Sequence, residues 1–198
     1  MIETIIGVST AIIGAASTLA AIWLKHYLER KKHSECIIDK TIQEDTQIIE
    51  RLEELKEEVQ ADRISIFSFH NGGEYYSGKS MQKLSCSYEV VQAGVARTQL
   101  ELQNIPVSAC LTTLQRLMQN KEFHCYDVEK HYPESACKHQ LINSGVKSTY
   151  QYAIFDLNKK AIGILRADFV LDKEELKDGA YDALRYLAIK LPGYLIKK

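Results

Sequence analysis

The chain is 198 residues long, 45% hydrophobic, with 25 basic and 26 acidic side chains and a formal net charge of −1. That length holds one domain with accessories and a sizeable core, and the near-neutral balance supplies no global field for nucleic acid, which is excluded as a partner. Five cysteines, Cys36, Cys86, Cys110, Cys125 and Cys137, are an odd number without a C-x-x-C pair and point to free thiols in a reducing compartment.

Thr4 to Leu24 carries no charged residue and is long enough to cross a bilayer as one helix. Glu3 replaces the basic start of a cleavable signal, and Trp23 sits where an interfacial aromatic belongs. Lys25, Arg30, Lys31 and Lys32 follow against only Glu29. The positive-inside rule therefore predicts a single-pass anchor in a bacterial inner membrane, N-terminus outside and the remainder cytoplasmic. Gly7, Ala11, Gly14, Thr18 and Ala21 form one smooth face, which either lets two anchors pair or reflects the common use of small residues in membrane helices. The predicted division is an anchor (1–24) with Thr4, Gly7, Gly14, Trp23 and Leu24 as marker residues, a basic segment (25–34), a connecting helix (35–60) and a cytoplasmic domain (61–198).

Glu35 to Gln60 has no Gly or Pro and repeats apolar residues at helical spacing. Ile38, Ile42, Ile49, Leu52 and Val59, with Leu55, fall near a heptad seam that either pairs with a second copy or packs on its own sheet. A parallel homodimer continuing the membrane helix is the economical expectation. Arg63 to His70 then alternates as a central strand and is broken at Asn71-Gly72-Gly73. Met81 to Val91 is predicted as a strand leading into a short helix. Pro106 opens a helix through Met118, Glu122 to Tyr126 is a short strand, and Glu134 to Ser144 is a helix. Lys173 to Leu191 is amphipathic and is stopped by Pro192-Gly193.

Between these helices, Leu141 to Val170 reads as a helix end, a strand, a polar turn on Asp156, Asn158 and Lys159, and a second strand. Gly145 stands where a helix C-cap needs positive φ. Leu141, Gly145, Val146, Ser148, Ile162, Gly163 and Leu165 resemble the C-terminal hairpin pattern of GAF domains, which are small sensory modules. The resemblance implies an α+β fold, a central antiparallel sheet flanked by helices, here preceded by the transmembrane helix and the amphipathic connecting helix. It also implies a pocket on the sheet face opposite the terminal helices.

Gly73 to Ser80 fits G-x-x-x-x-G-K-S, whose backbone N–H groups cradle phosphate where a helix follows. Two readings stand: a phosphate-binding enzyme, or a chance match in a chain without repeated βαβ units. As a ligand loop, His70, Asn71, Tyr75, Tyr76, Lys79 and Ser80 offer stacking and anion contacts. Tyr150 and Tyr152 share one strand face, and Arg166 and Asp168 share another; Arg166 and Asp168 either pair on a solvated edge or enter the pocket. His124, Cys125, His131, Cys137 and His139 lack the paired spacing of zinc sites, so no metal is assigned. Cys137-Lys138-His139 departs from the adjacent cysteine and histidine of bilin-carrying GAF domains, so no cofactor is assigned either. The N-K-x-x-x-F-D-E pattern of some cyclic-nucleotide-binding relatives is absent, and no nucleophile–base pair stands out. The expectation is a non-enzymatic, membrane-anchored module of a bacterium or bacteriophage. It binds a small molecule or protein partner and signals through its connecting helix; a non-catalytic scaffold is the alternative.

Overall fold

The computed structural model describes residues 17–28, 37–172 and 174–196. Among the described residues no helix is long and apolar enough to cross a membrane. The anchor residues Thr4, Gly7 and Gly14 lie outside the described residues. Trp23 and Leu24 fall in a helical stretch over residues 17–28, both exposed, with the Trp23 ring stacked on Tyr27 at 5.5 Å. The chain divides into two units, Met1–Asp45 and Thr46–Lys198; the second carries the sheet.

Helix α1 (Ile37–Val59) precedes the sheet, with apolar residues at helical spacing from Ile48 to Val59 and a polar break between Ile42 and Ile48. Six antiparallel strands follow: β1 (Arg63–Glu74), β2 (Ser80–Val91), β3 (Ile105–Pro106), β4 (Glu122–Cys125), β5 (Ser148–Phe155) and β6 (Ala161–Phe169), ordered β3-β2-β1-β6-β5-β4. A 3-10 turn (Val107–Cys110) runs into α2 (Leu111–Asn120), and α3 (Val128–His131) and α4 (Ala136–Asn143) separate β4 from β5. Helices α5 (Asp178–Lys190) and α6 (Pro192–Leu195) end the described chain.

Each sheet face has its own core. On one, Ile48, Leu52, Leu55 and Val59 of α1 and Leu184, Leu187 and Leu191 at the C-terminal end meet Ile64, Ile66, Tyr150, Tyr152 and Leu165. The seam of α1 is thus split. Leu52 and Val59 are buried in their own domain and Ile49 packs against that core, so they are not free for a second copy; Ile38 and Ile42 are exposed. On the other face Phe67, Leu84, Cys86 and Ile164 lie beneath Leu114 and Leu117 of α2 and Leu141 of α4.

Strand β2 corrects the expected strand-then-helix. Ile66 opposes Tyr88 while Phe67 opposes Cys86, so Ser87 is an extra residue. That bulge flips the side-chain alternation. Leu84 and Cys86 therefore serve one core, and Tyr88 and Val90 the other, although all four stand at even numbers.

Two glycines fix the final hairpin. Gly145, at φ 73°, ends α4: its N–H donates to the Ile142 carbonyl and that of Val146 to Leu141. At Gly163 a Cβ would lie 2.4 Å from the Phe67 carbonyl oxygen, so only glycine allows β6 to approach β1 there.

Candidate functional site

The face opposite the terminal helices carries a line of polar groups across three strands. Arg63 on β1, Glu89 on β2 and Arg166 and Asp168 on β6 are all buried, although Arg63 begins and Glu89 nearly ends an apolar strand. Two cations and two anions make the set formally neutral, which permits burial that one charge alone would not.

Glu89 is the best satisfied. Its carboxylate accepts from the Thr98 N–H at 2.9 Å, the Thr98 hydroxyl at 2.7 Å and the Gln99 N–H at 3.2 Å, and lies 3.4 Å from Arg63 Nε. Arg63 Nη2 donates to the Ala96 carbonyl at 2.8 Å. These bonds hold the β2–β3 connection over the sheet. Asp168 accepts from the Thr149 hydroxyl at 2.7 Å, and its other oxygen lies 2.9 Å from Arg166 Nε and 3.7 Å from Arg63 Nη1. The Arg166–Asp168 approach is an ion pair out of line for a hydrogen bond, and Arg166 Nη2 makes no hydrogen bond within the protein. The guanidinium lies 4.4 Å from the Phe67 ring centroid.

Arg166 borders a small cavity of about 30 Å³. Phe67 and Ile164 form its apolar floor; Thr113 and Leu114 of α2, Leu141 of α4, Tyr132 and Gln151 close it. Gln151 approaches the Tyr132 hydroxyl at 3.4 Å, and burial pushes the Tyr132 phenol upward, keeping it a donor. Thr113 Oγ1 is buried beside the Tyr132 hydroxyl, its side-chain partner. The cavity therefore combines an apolar floor with a cation that has an unpaired donor and with the neighbouring Thr113 and Tyr132 hydroxyls. Those groups suit a small anion or amide once the cavity, about one water in size here, widens.

Cys110 and Cys137 also line it, their sulfurs joined as a disulfide with Cα atoms 5.4 Å apart. The expectation of free thiols throughout is corrected for these two: Cys110 sits at the start of α2 and Cys137 in the first turn of α4, segments brought together by packing on one sheet face. Cys86 and Cys125 are free and buried, burial pushing the Cys86 thiol up to about 12; Cys36 lies outside the described residues.

The ten sequence-predicted ligand residues fall in three places. His70, Asn71, Tyr75, Tyr76, Lys79 and Ser80 lie along the outer part and tip of the β1–β2 hairpin, away from the cavity. There Ser80 opens a strand, not a helix, so the N–H cluster a phosphate loop needs does not form and the phosphate-loop reading is corrected. Ser80 instead donates to the Asn71 side chain at 3.1 Å, and His70 meets the Ser85 hydroxyl at 2.9 Å. Tyr150 and Tyr152 are buried in the core beneath the terminal helices. Arg166 and Asp168 do enter the polar face, and the solvated-edge alternative is corrected: β6 is an inner strand.

Sequence reasoning missed Arg63, Glu89, Thr113, Tyr132 and Gln151. The usable signal was a charge or amide at a period-2 position inside apolar strands, as with Gln151 between Tyr150 and Tyr152. Among the described residues no group of three or more His, Cys, Asp or Glu is placed to hold a metal ion. His124 instead packs against Tyr150, Tyr152 and Tyr181, and desolvation lowers its pKa.

The sheet order and the two-sided cover find counterparts among solved structures. The GAF domain of PixJ from Thermosynechococcus elongatus, in its blue-light absorbing form, superposes with a TM-score of 0.62 at 14% identity, covering 81% of this chain and 88% of that one. The fold is GAF-like. A far-red absorbing dark state with bound biliverdin IXa matches this GAF-like chain with a TM-score of 0.57 at 16% identity, over 73% of it and 84% of the other. A domain assigned to a two-component sensor histidine kinase protein of Sinorhizobium meliloti 1021 matches with 0.53 at 13%, over 81% and 90%. Identities this low establish the fold and nothing finer. No family model matches the sequence, and no curated protein does.

Proposed function

We propose that this GAF-like domain is a sensory module that takes a small anionic or amide-bearing molecule into the Arg166 cavity. The observation that carries it is the buried Arg166 Nη2 on the cavity wall, which makes no hydrogen bond within the protein. Such a group costs about 1–3 kcal/mol unless something else meets it. The solved neighbours that absorb light, one of them with biliverdin bound, support small-molecule sensing by this fold. A tetrapyrrole is disfavoured here, because about 30 Å³ is far below the roughly 300–1,000 Å³ of drug-sized sites.

The uncharged stretch Thr4 to Leu24 supports a tether holding the domain at the cytoplasmic side of a bacterial inner membrane. Exposed Ile38 and Ile42 support pairing of two copies along the first half of α1, the route by which occupancy passes outward. A protein partner is the second reading, favoured by exposed Leu157 and Ile189 lining a groove of about 690 Å³ beside the β5–β6 turn.

Small carboxylates, phosphates and amides screened against the full-length chain, with and without a thiol reductant, test the reading. A binder at a hundredfold its Kd adds about 2.7 kcal/mol, and melting rises by about 5–10 °C. Arg166→Gln and, separately, Thr113→Val are expected to remove the shift. A binder whose shift survives both changes overturns the assignment.

A further inference from the structure

We infer that Cys110 and Cys137 are a reversible thiol–disulfide pair that locks the roof of the Arg166 cavity when bonded and releases it when reduced, with low-molecular-weight thiols and disulfides as exchange partners. The gating consequence rests on the ligand-binding reading of that cavity; the exchange itself does not.

The pair occupies the two segments that roof the cavity. Cys110 precedes the first residue of α2, and Cys137 is the second residue of α4, 27 positions later. Both line the cavity together with Thr113, Leu114, Gln140 and Leu141. Their Cα separation of 5.4 Å lies within the span a disulfide bridges without backbone movement. Each sulfur stands at the amino end of a helix, where the partial positive charge favours thiolate, the species that attacks and leaves in exchange. Cys86 and Cys125 differ on both counts. They lie within strands β2 and β4, and burial holds both thiols up, protonated and inert.

Cys110 is buried, whereas Cys137 is half-buried and accessible to a small thiol. A thiolate RS⁻ attacks Cys137 Sγ; the Cys110–Cys137 bond breaks, a mixed disulfide forms on Cys137, and Cys110 leaves as thiolate. A second RS⁻ attacks the R-bearing sulfur, giving RSSR and the Cys137 thiolate. Two RSH are oxidised, the protein disulfide gains two electrons, and the two protons end on Cys110 and Cys137. The reverse reaction with RSSR restores the bond. With the bond in place the cavity has room for about one water. Without it α2 and α4 are joined there by side-chain packing alone, and the roof can part.

The full-length chain, equilibrated over a range of reduced to oxidised glutathione and alkylated before peptide mapping, reports the exchange. Cys110 and Cys137 are expected to titrate together within that range. A bond that persists in millimolar reduced glutathione overturns the pair as a switch. Amide hydrogen exchange over residues 107–120 and 136–143 is expected to quicken about tenfold or more on reduction, with β5 and β6 unchanged. Equal rates in the two states overturn the release of the roof. Cys110→Ser is expected to copy the reduced state, and reduced wild-type protein gives the same readout should that variant fail to fold. Benzoate, as probe, is expected to bind the reduced protein and not the oxidised one. Equal binding to both forms overturns gating. Faster exchange with benzoate and a phosphate probe bound by neither form sinks the ligand reading and leaves the switch standing.

Discussion

Arg63 and Asp168 stand directly opposite each other on β1 and β6, both buried, with Nη1 3.7 Å from Oδ2. The same Asp168 oxygen faces Arg166, so one carboxylate serves two guanidinium groups. Asp168→Ala leaves both cations under-compensated in the core and is expected to cost about 3–5 kcal/mol in urea unfolding. Arg63→Met with Asp168→Leu is expected to cost less than the two single changes added. Strict additivity would show that the pair is not coupled.

Gly163→Ala is a test of the hairpin. Its Cβ would meet the Phe67 carbonyl oxygen, an atom fixed in the sheet, so the strands must shift. The expected loss is about 2 kcal/mol or more, read as a lower midpoint at an unchanged denaturant slope.

The connecting helix separates stability from assembly. Leu52 is fully buried beneath the sheet, and Leu52→Ala is expected to cost about 2–5 kcal/mol. Ile42 is exposed, and Ile42→Asp is expected to change stability by less than about 0.5 kcal/mol. In light scattering the same variant is expected to shift the full-length chain toward monomer; an unchanged mass removes Ile42 from the pairing face.

High pH addresses the two core tyrosines. Burial raises the Tyr150 and Tyr152 phenols above their ordinary value of 10.0, so the unfolded chain loses these protons first. Their contribution is complete below pH 10 and is lost as pH rises beyond it. The Tyr152 hydroxyl makes no hydrogen bond within the protein, so Tyr152→Phe is expected to be neutral or stabilising at pH 7 and to shallow the alkaline decline. A destabilised Tyr152→Phe would reveal a partner for that hydroxyl.

The final hairpin was the most legible stretch, because Gly145, Gly163 and the Asp156 turn each answer a local backbone demand. Asp156 Oδ1 accepts from the N–H of Asn158 and Lys160, and Lys159 takes φ 62°. Strand β2 was half legible: the period-2 pattern was present, but one inserted serine moved its second half to the other face. The site was least legible. Arg166 and Asp168 were found by their spacing, while Arg63 and Glu89 are joined to them only through strand pairing between positions far apart in the chain. Tyr75, Tyr76 and Lys79 were singled out by a composition that binding loops and exposed turns share, and the fold places them away from the Arg166 cavity.

The β1–β2 hairpin reaches past its neighbours. Pairing between β1 and β6 ends at Ser68 and Gly163, whereas β1 continues against β2 to Glu74 and Ser80. Residues 75–79 therefore form an arm whose length is uncoupled from the two cores. A genetically encoded tag or a spectroscopic label spliced between Tyr75 and Gly78 would ride on the molecule as a handle for imaging or surface attachment.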